Sequence, residues 1–467
     1  MQFTNGIKAF IIVLYDYECE VSEMEKNLTN GSVFKTILSF SLPFLLSYFL
    51  QTLYGMADLF IIGQYNGVAS TTAVSIGSQV MHMITVMIVG LAMGSTVMIG
   101  KAVGAGKREE ASMAIGNTIT LFMGVSVTLT VILLLLVRSI VAVMSTPEEA
   151  VQGTILYLTI CFIGIPFITA YNIISSIFRG MGDSRSPMCF VAVACVANII
   201  LDYLFIGGLE LGPAGAALGT TISQTISVIV SLCIIRKRQS GIVMKKSYFR
   251  PKKLIMEQLL KIGIPVALQD GFIQISFIII TIIVNQRGLN DAAAVGIVEK
   301  IIGFLFLVPS SMLSTVSALA AQNIGAGKHD RAKKTLWYAI TMCVSFGLVT
   351  VVVMQFAAGW FVGLFATDTE VIRLGSEYMH GYVWDCVFAG IHFCFSGYFC
   401  AYGRSSFSFL HNSISIVCAR VPLAYLASRY FPNTLLPMGL ATATGSLVSV
   451  VICVVVYLWM QRNENLT

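Results

Sequence analysis

The chain has 467 residues, of which 56% are hydrophobic and only 11% charged, with a formal net charge of +6. Soluble domains carry about 25% charged residues, and many apolar runs here reach the roughly 18–20 residues that cross a bilayer. A soluble globular class is therefore excluded. The basic residues sit in short loops between apolar runs, which argues against a nucleic-acid surface.

Residues 1–34 form an N-terminal extension. Its apolar stretch from Ala9 to Tyr15 is half the length of a span and is followed by Asp16, Glu18, Glu20, Glu23 and Glu25. It has no small-residue cleavage site, so a signal peptide is not expected. Met24 is an alternative start, which N-terminal sequencing of the native protein would check.

About twelve spans follow, near 36–62, 70–102, 111–137, 150–176, 186–207 and 213–235, then 258–285, 291–320, 332–358, 372–400, 408–430 and 435–460. Backbone groups in hydrocarbon must be paired within the segment, so these runs are predicted to be helices and the protein all-α. Lys101, Lys107, Arg108, Arg179, Arg185, the loop at 236–253, Lys328 to Lys334, Arg404 and Arg462 fall on one side. Only Arg138, Arg287, Arg373 and Arg429 fall on the other, which places both termini in the cytoplasm of a cell-membrane protein. The eleven cysteines lie mostly inside apolar runs, without C-x-x-C or a Cys/His cluster, and read as small apolar fillers.

An internal repeat divides the chain. Gly104-Ala105-Gly106-Lys107 recurs as Gly325-Ala326-Gly327-Lys328, an offset of 221 (325 − 104). The same offset relates Ala111 to Ala332, Tyr157 to Tyr378, Gly182 to Gly403 and Ser184 to Ser405. Pro43 maps to Pro265, and Pro213, Gly215, Ala217 and Thr220 map to Pro437, Gly439, Ala441 and Thr444. Six helices per repeat insert the same way up, so a pseudo-two-fold axis along the membrane normal is expected, with a cavity between the halves. The domains are then an N-lobe at 35–235, a basic cytoplasmic linker at 236–257, a C-lobe at 258–460 and a tail at 461–467. The linker's charge is expected to rest it against anionic lipid and to do nothing more.

Ionisable groups inside spans are costly and mark pathways. Asp58 lies near the end of the first span. Asn198 and Asp202 are one helical turn apart and share a face. Two carboxylates and an amide oxygen can hold Na⁺ or share a proton; the alternative is that each aspartate hydrogen-bonds a neighbouring helix. The second half carries Asp270, Glu299, Lys300, Asp385 and Arg420. Asp270, Glu299, Asp385 and Arg420 are candidates for a substrate or cation site, with a buried Asp385–Arg420 ion pair as the other reading. Gly90-x-x-x-Gly94 and Gly100-x-x-x-Gly104 are close-packing faces. Pro43, Pro166, Pro265, Pro309 and Pro422 interrupt spans.

Gly106-Lys107 is followed by Arg108, and Lys328 by His329, so neither copy is a nucleotide-binding G-x-x-x-x-G-K-[ST] loop. None of the five histidines forms H-E-x-x-H or accompanies G-x-S-x-G, so an enzyme is not expected. Transport driven by an ion gradient remains.

The ordered series P43-F-L-L, A-D58-L-F-I-I-G, G104-A-G-K, R179-G-M-G-D, N198-I-I-L-D202 and P213-A-G-A-A-L-G-T220, echoed in the second half, resembles the multidrug and toxin extrusion (MATE) transporters. The resemblance covers residues 35–460. It implies a V-shaped pair of six-helix lobes exporting organic cations or other drugs in exchange for Na⁺ or H⁺, with no cofactor beyond that ion. It also implies a cation site of Asp58, Asn198 and Asp202 acting with Thr220 and Tyr157. Other branches of the family use acidic residues on the seventh, eighth and tenth helices, where Asp270, Glu299 and Asp385 lie. Helix 1 here reads A-D-L-F where relatives often read V-D-T-x, which keeps the carboxylate. Drug-like substrate and membrane lipid are the expected partners of a monomer. A lipid-linked oligosaccharide flippase of the same superfamily is the rival; it would need a cationic cavity for pyrophosphate.

Overall fold

The computed structural model describes residues 27–237 and 244–463. The expectations for Ala9–Tyr15, the acidic residues after it and Met24 lie outside them. Twelve helices long and apolar enough to span a bilayer are found among the described residues. They are α1 Val33–Tyr65, α2 Val68–Gly104, α3 Arg108–Val143, α4 Glu148–Gly180, α5 Arg185–Gly208 and α6 Pro213–Arg236, followed by α7 Lys253–Asn285, α8 Leu289–Gly325, α9 His329–Gly363, α10 Thr369–Ala401, α11 Ser405–Tyr430 and α12 Leu436–Arg462. The protein is a multi-pass membrane protein.

The repeat seen in sequence is drawn twice in the backbone. After α2, Gly106 takes φ +69°, with Gly106 N–H donating to Val103 O and Lys107 N–H to Ala102 O. After α8, Gly327 takes φ +72°, and the same two bonds run from Gly327 to Ile324 and from Lys328 to Asn323. This is the glycine-dependent Schellman stop, which satisfies the last carbonyls of the helix. Packing repeats as well. In the first half α4 lies against α2, α3 and α6, and α5 against α1 and α6; in the second, α10 lies against α8, α9 and α12, and α11 against α7 and α12. Leu135 on α3 and Phe356 on α9, 221 residues apart (356 − 135), are 79% and 90% exposed. Such apolar exposure on outer helices is what lipid contact requires.

The prolines act unequally. Pro43, Pro166 and Pro265 sit inside continuous helices. Pro309 has no N–H, and its ring opposes the carbonyl of Leu305, so α8 is two segments that meet at Phe306. α10 is broken at Val383–Trp384, just before Asp385. α5 widens into a π-helix at Tyr203–Gly208, immediately after Asp202, and α11 does so at Ile416–Arg420, ending on Arg420. Such widened turns often accompany functional positions.

The lobes meet along α2, which packs on α7 and α8. The paired glycines make that seam possible. A Cβ on Gly104 would lie 1.9 Å from Gln322 O, and one on Gly325 would lie 2.0 Å from Lys101 O. Nearer mid-bundle, Gly94 would meet Leu259 O at 2.2 Å and Gly263 would meet Leu91 O at 2.2 Å. Gln322 Nε2 donates to Gly180 O at 3.1 Å, tying α8 to α4. The seam is tight beside the basic loops and extends to mid-bundle, where Tyr48 Oη pairs with Ser314 Oγ at 3.0 Å. Farther on, a Cβ on Gly55, Gly296 or Gly303 would meet nothing within 4 Å outside its own helix backbone. Beside Gly303 the lobes still meet, the rings of Phe49 on α1 and Phe304 on α8 lying 6.4 Å apart between centres.

Two connections carry more than sequence suggests. Linker residues do not merely rest on lipid. Tyr248, in the turn Lys246–Phe249, is buried against α3, and its carbonyl accepts from Asn117 Nδ2 at 3.2 Å. Lys252 N–H donates to Asn117 Oδ1 at 2.7 Å, and Thr120 Oγ1 donates to Phe249 O at 2.8 Å. At the other end of the chain, the segment before α1 is pinned to the C-lobe. Leu28 N–H donates to Gln322 Oε1 at 3.2 Å, Lys328 Nζ donates to Thr29 O at 2.9 Å, and Arg331 donates to Gly31 O and Asn30 O at 2.7 Å.

On the opposite face Arg287 fastens the α7–α8 turn to the α11–α12 loop. Its Nε donates to Asp291 Oδ1 at 2.8 Å, and its Nη atoms donate to the carbonyls of Ser428, Phe431, Pro432 and Thr434. The side chain is 7% exposed. Arg287→Ala strands Asp291 and four carbonyls, and is expected to destabilise the C-lobe by about 3–5 kcal/mol. The midpoint of thermal unfolding of the purified protein measures it; an unchanged midpoint would refute this role.

Candidate functional site

Four of the residues singled out in the first half converge. Asp58 on α1 is 4% exposed, and Asn198 and Asp202 on α5 are fully buried. Asp58 lies beside both Asn198 and Asp202, and Thr220 Oγ1 on α6 donates to Asp58 Oδ2 at 3.2 Å. Their spacing explains the convergence. Asn198 and Asp202 project from one face of α5, and α6 can approach that face because residue 219 is glycine. A Cβ there would lie 2.0 Å from Asp202 Oδ1.

Tyr157 on α4 is buried in the same region, but its hydroxyl pairs with Ser78 Oγ at 3.2 Å. It therefore packs next to the carboxylates without bonding Asp58. Tyr54 and Gln224 join the group, with Gln224 Nε2 donating to Tyr54 Oη at 3.3 Å. Sequence reading missed both, although each lies one helical turn from a site residue: Tyr54 four before Asp58, Gln224 four after Thr220.

What these groups lack is partners. Among the described residues, Asp58 Oδ1, Asn198 Oδ1 and Nδ2, and both carboxylate oxygens of Asp202 are buried without a hydrogen bond. Buried polar atoms are nearly always paired, and two carboxylates at close range cannot both stay charged without compensation. A small hard cation bound through oxygens, or a shared proton, supplies that compensation. No group of three His, Cys, Asp or Glu gathers among the described residues, so the donor set differs from that of a transition-metal site. The residues present fit a monovalent cation.

The four candidates of the second half do not form one site. Asp270 on α7 faces the seam, where a Cβ on Gly90 would lie 2.8 Å from its Oδ2. The direction of its side chain, which spacing alone does not fix, separates it from the others. Glu299, Asp385 and Arg420 gather inside the C-lobe with Tyr378 and Tyr382. Asp385 is fully buried and Arg420 is 7% exposed, yet no direct ion pair joins them among the described residues. Arg420 Nη2 instead donates to Tyr382 Oη at 3.2 Å, and its guanidinium lies 4.7 Å from the centre of the Phe277 ring. Lys300 is exposed.

The MatE family pattern matches residues 43–204 and 265–426, more than half of the chain. The chain belongs to the MATE family. Among relatives, the probable multidrug resistance protein YoeA of Bacillus subtilis is 27% identical over 443 residues, covering 93% of this chain and 96% of that one. The multidrug export protein MepA of Staphylococcus aureus is 25% identical over 437 residues, covering 92% and 95%. Among solved structures, a transporter of the MOP superfamily from Pyrococcus furiosus is 23% identical with a TM-score of 0.86, covering 93% of this chain and 96% of that one. A MATE protein in complex with MaL6 is 23% identical with a TM-score of 0.85, covering 93% and 97%. These structures share the two-lobed fold. The two matched stretches of this MATE protein begin and end 222 residues apart (265 − 43 and 426 − 204). At that spacing Asn198 coincides with Arg420 and Asp202 with Ala424. At the 221-residue spacing of Tyr157 and Tyr378, Ser78 coincides with Glu299 and Gly164 with Asp385.

Proposed function

We propose that this protein is a secondary active multidrug exporter of the cell membrane, expelling organic cations and other drug-like xenobiotics in exchange for Na⁺ or H⁺. It works as a monomer with both termini in the cytoplasm. The observation that carries this reading is the buried group of Asp58, Asn198 and Asp202, in which Asp58 Oδ1, Asn198 Oδ1 and both oxygens of Asp202 have no hydrogen-bond partner among the described residues. The names of the relatives, multidrug resistance and multidrug export proteins, support the substrate class.

In this mechanism α1 is the lever. Asp58 engages α5 and α6 at one end of it, while ten residues earlier Tyr48 touches Ser314 of the C-lobe. That separation is about 15 Å along the axis. Cation or proton entry relieves the two carboxylates, shifts α1 against α5, and so changes which arrangement of the lobes is favoured. Coupling requires only that the ion and the drug differ in their affinity for the two arrangements. The rival flippase calls for a cationic cavity, and the buried carboxylates of the N-lobe count against it.

The test is ethidium transport in vesicles of purified protein, with Na⁺ and pH gradients imposed separately. Accumulation against its concentration gradient under one of the two is expected. Ethidium movement that ignores both gradients would overturn the proposal.

A further inference from the structure

The N-lobe group and the C-lobe group share three corresponding helices of the repeat, α4, α5 and α6 answering to α10, α11 and α12, while Asp58 stands on α1 and Glu299 on α8, the counterpart of α2. The first draws on α1, α4, α5 and α6. The second draws on α8, α10, α11 and α12 through Glu299, Tyr378, Asp385, Arg420 and Thr442. Each contains two carboxylates, and each has a helix widened into a π turn beside it. Their carboxylates stand at different positions of the repeat, since Asp202 coincides with Ala424, Glu299 with Ser78 and Asp385 with Gly164, and a further difference concerns charge. Where the N-lobe has the neutral Asn198, the C-lobe has Arg420.

We propose that Arg420 is a tethered cation: its guanidinium takes in the C-lobe the place that an exchangeable cation takes beside Asp58, Asn198 and Asp202, and without it the C-lobe becomes a second monovalent-cation site. The proposal rests on the N-lobe reading given above. Arg420 is buried and held by the face of Phe277 and the hydroxyl of Tyr382, so it does not leave the cluster. The oxygens around it are those a hard cation uses. Both oxygens of Asp385, Oε1 of Glu299, Oη of Tyr378 and Oγ1 of Thr442 are buried without a hydrogen bond among the described residues. Because Arg420 stays charged at any accessible pH, the C-lobe keeps one charge state through the cycle. Ion exchange is thereby confined to the N-lobe.

The experiment counts bound ²²Na⁺ on purified full-length protein in detergent. Arg420→Asn, which copies the N-lobe residue, is expected to bind one more Na⁺ per chain than the parent protein. Arg420→Gln, closer in length, serves as a second test should the first not fold. Adding Asp385→Asn is expected to remove the gain, and Arg420→Lys, which keeps the charge, is expected to show none. The same Na⁺ count in both neutral variants and the parent overturns the proposal, as does a gain in Arg420→Lys. The N-lobe reading is judged separately, by comparing the parent protein with Asp202→Asn. Its failure leaves the increment on removing Arg420 readable.

Discussion

Asp202→Asn is expected to reduce gradient-driven drug efflux to the level of vesicles without protein, while the variant reaches the membrane in normal amounts. The amide has the shape of the carboxylate and still fits beside Gly219, so packing survives. What disappears is a charge in a buried site where both of its oxygens otherwise wait for a partner. Losing one member of a buried charge pair costs about 3–5 kcal/mol. At about 1.4 kcal/mol per tenfold, that is roughly 10²–10⁴ in cation affinity. Asp58→Asn should behave alike, and the double variant should be no worse than either single one, because the two carboxylates serve one ion. Efflux unchanged in Asp202→Asn at parental protein levels would remove the site from the mechanism.

The second large effect concerns the seam. Gly104→Val places side-chain atoms where the carbonyl of Gln322 already is, and backbone cannot yield as a flexible side chain can. The lobes should no longer close beside the basic loops, and efflux should fall at least tenfold. Gly325→Val, which meets Lys101 O across the pseudo-axis, should do the same. Gly124→Val on α3, with nothing within 4 Å, is the control for helix propensity and should be near neutral. Electron–electron resonance distances between spin labels at Glu110 and Lys334 report the closure directly. A distance distribution identical to that of the parent protein in Gly104→Val would refute the steric argument.

Hydropathy and the repeat were enough to read the twelve helices and the two-lobed plan, because both follow from local rules. The ends were less legible. The span expected at 36–62 is the helix Val33–Tyr65, and that at 111–137 is Arg108–Val143. Hydropathy marks the part of a helix inside hydrocarbon, while the helix itself continues into water through residues such as Arg108 and Glu109. The gathering of Asp58, Asn198, Asp202 and Thr220 could be anticipated from motif order. The separation of Asp270 from Glu299, Asp385 and Arg420 could not, because it depends on which way one side chain turns at a lobe boundary. The docking of Tyr248 on α3 was hidden for a similar reason. In a charged linker the partners lie far off in sequence, Asn117 lying 131 residues from Tyr248 and Thr120 lying 129 residues from Phe249.

The pinning of residues 28–31 onto Lys328 and Arg331 has a consequence for how the halves are joined. α1 belongs to one half, but its root is stitched to the other, so the polypeptide crosses the divide twice: covalently through the linker and again through this hydrogen-bonded hem. Two bodies buckled at both ends of one of them cannot swing as freely as two bodies on a single strap. The amplitude of opening is thus governed as much by the foot of the first helix as by the cleft it borders.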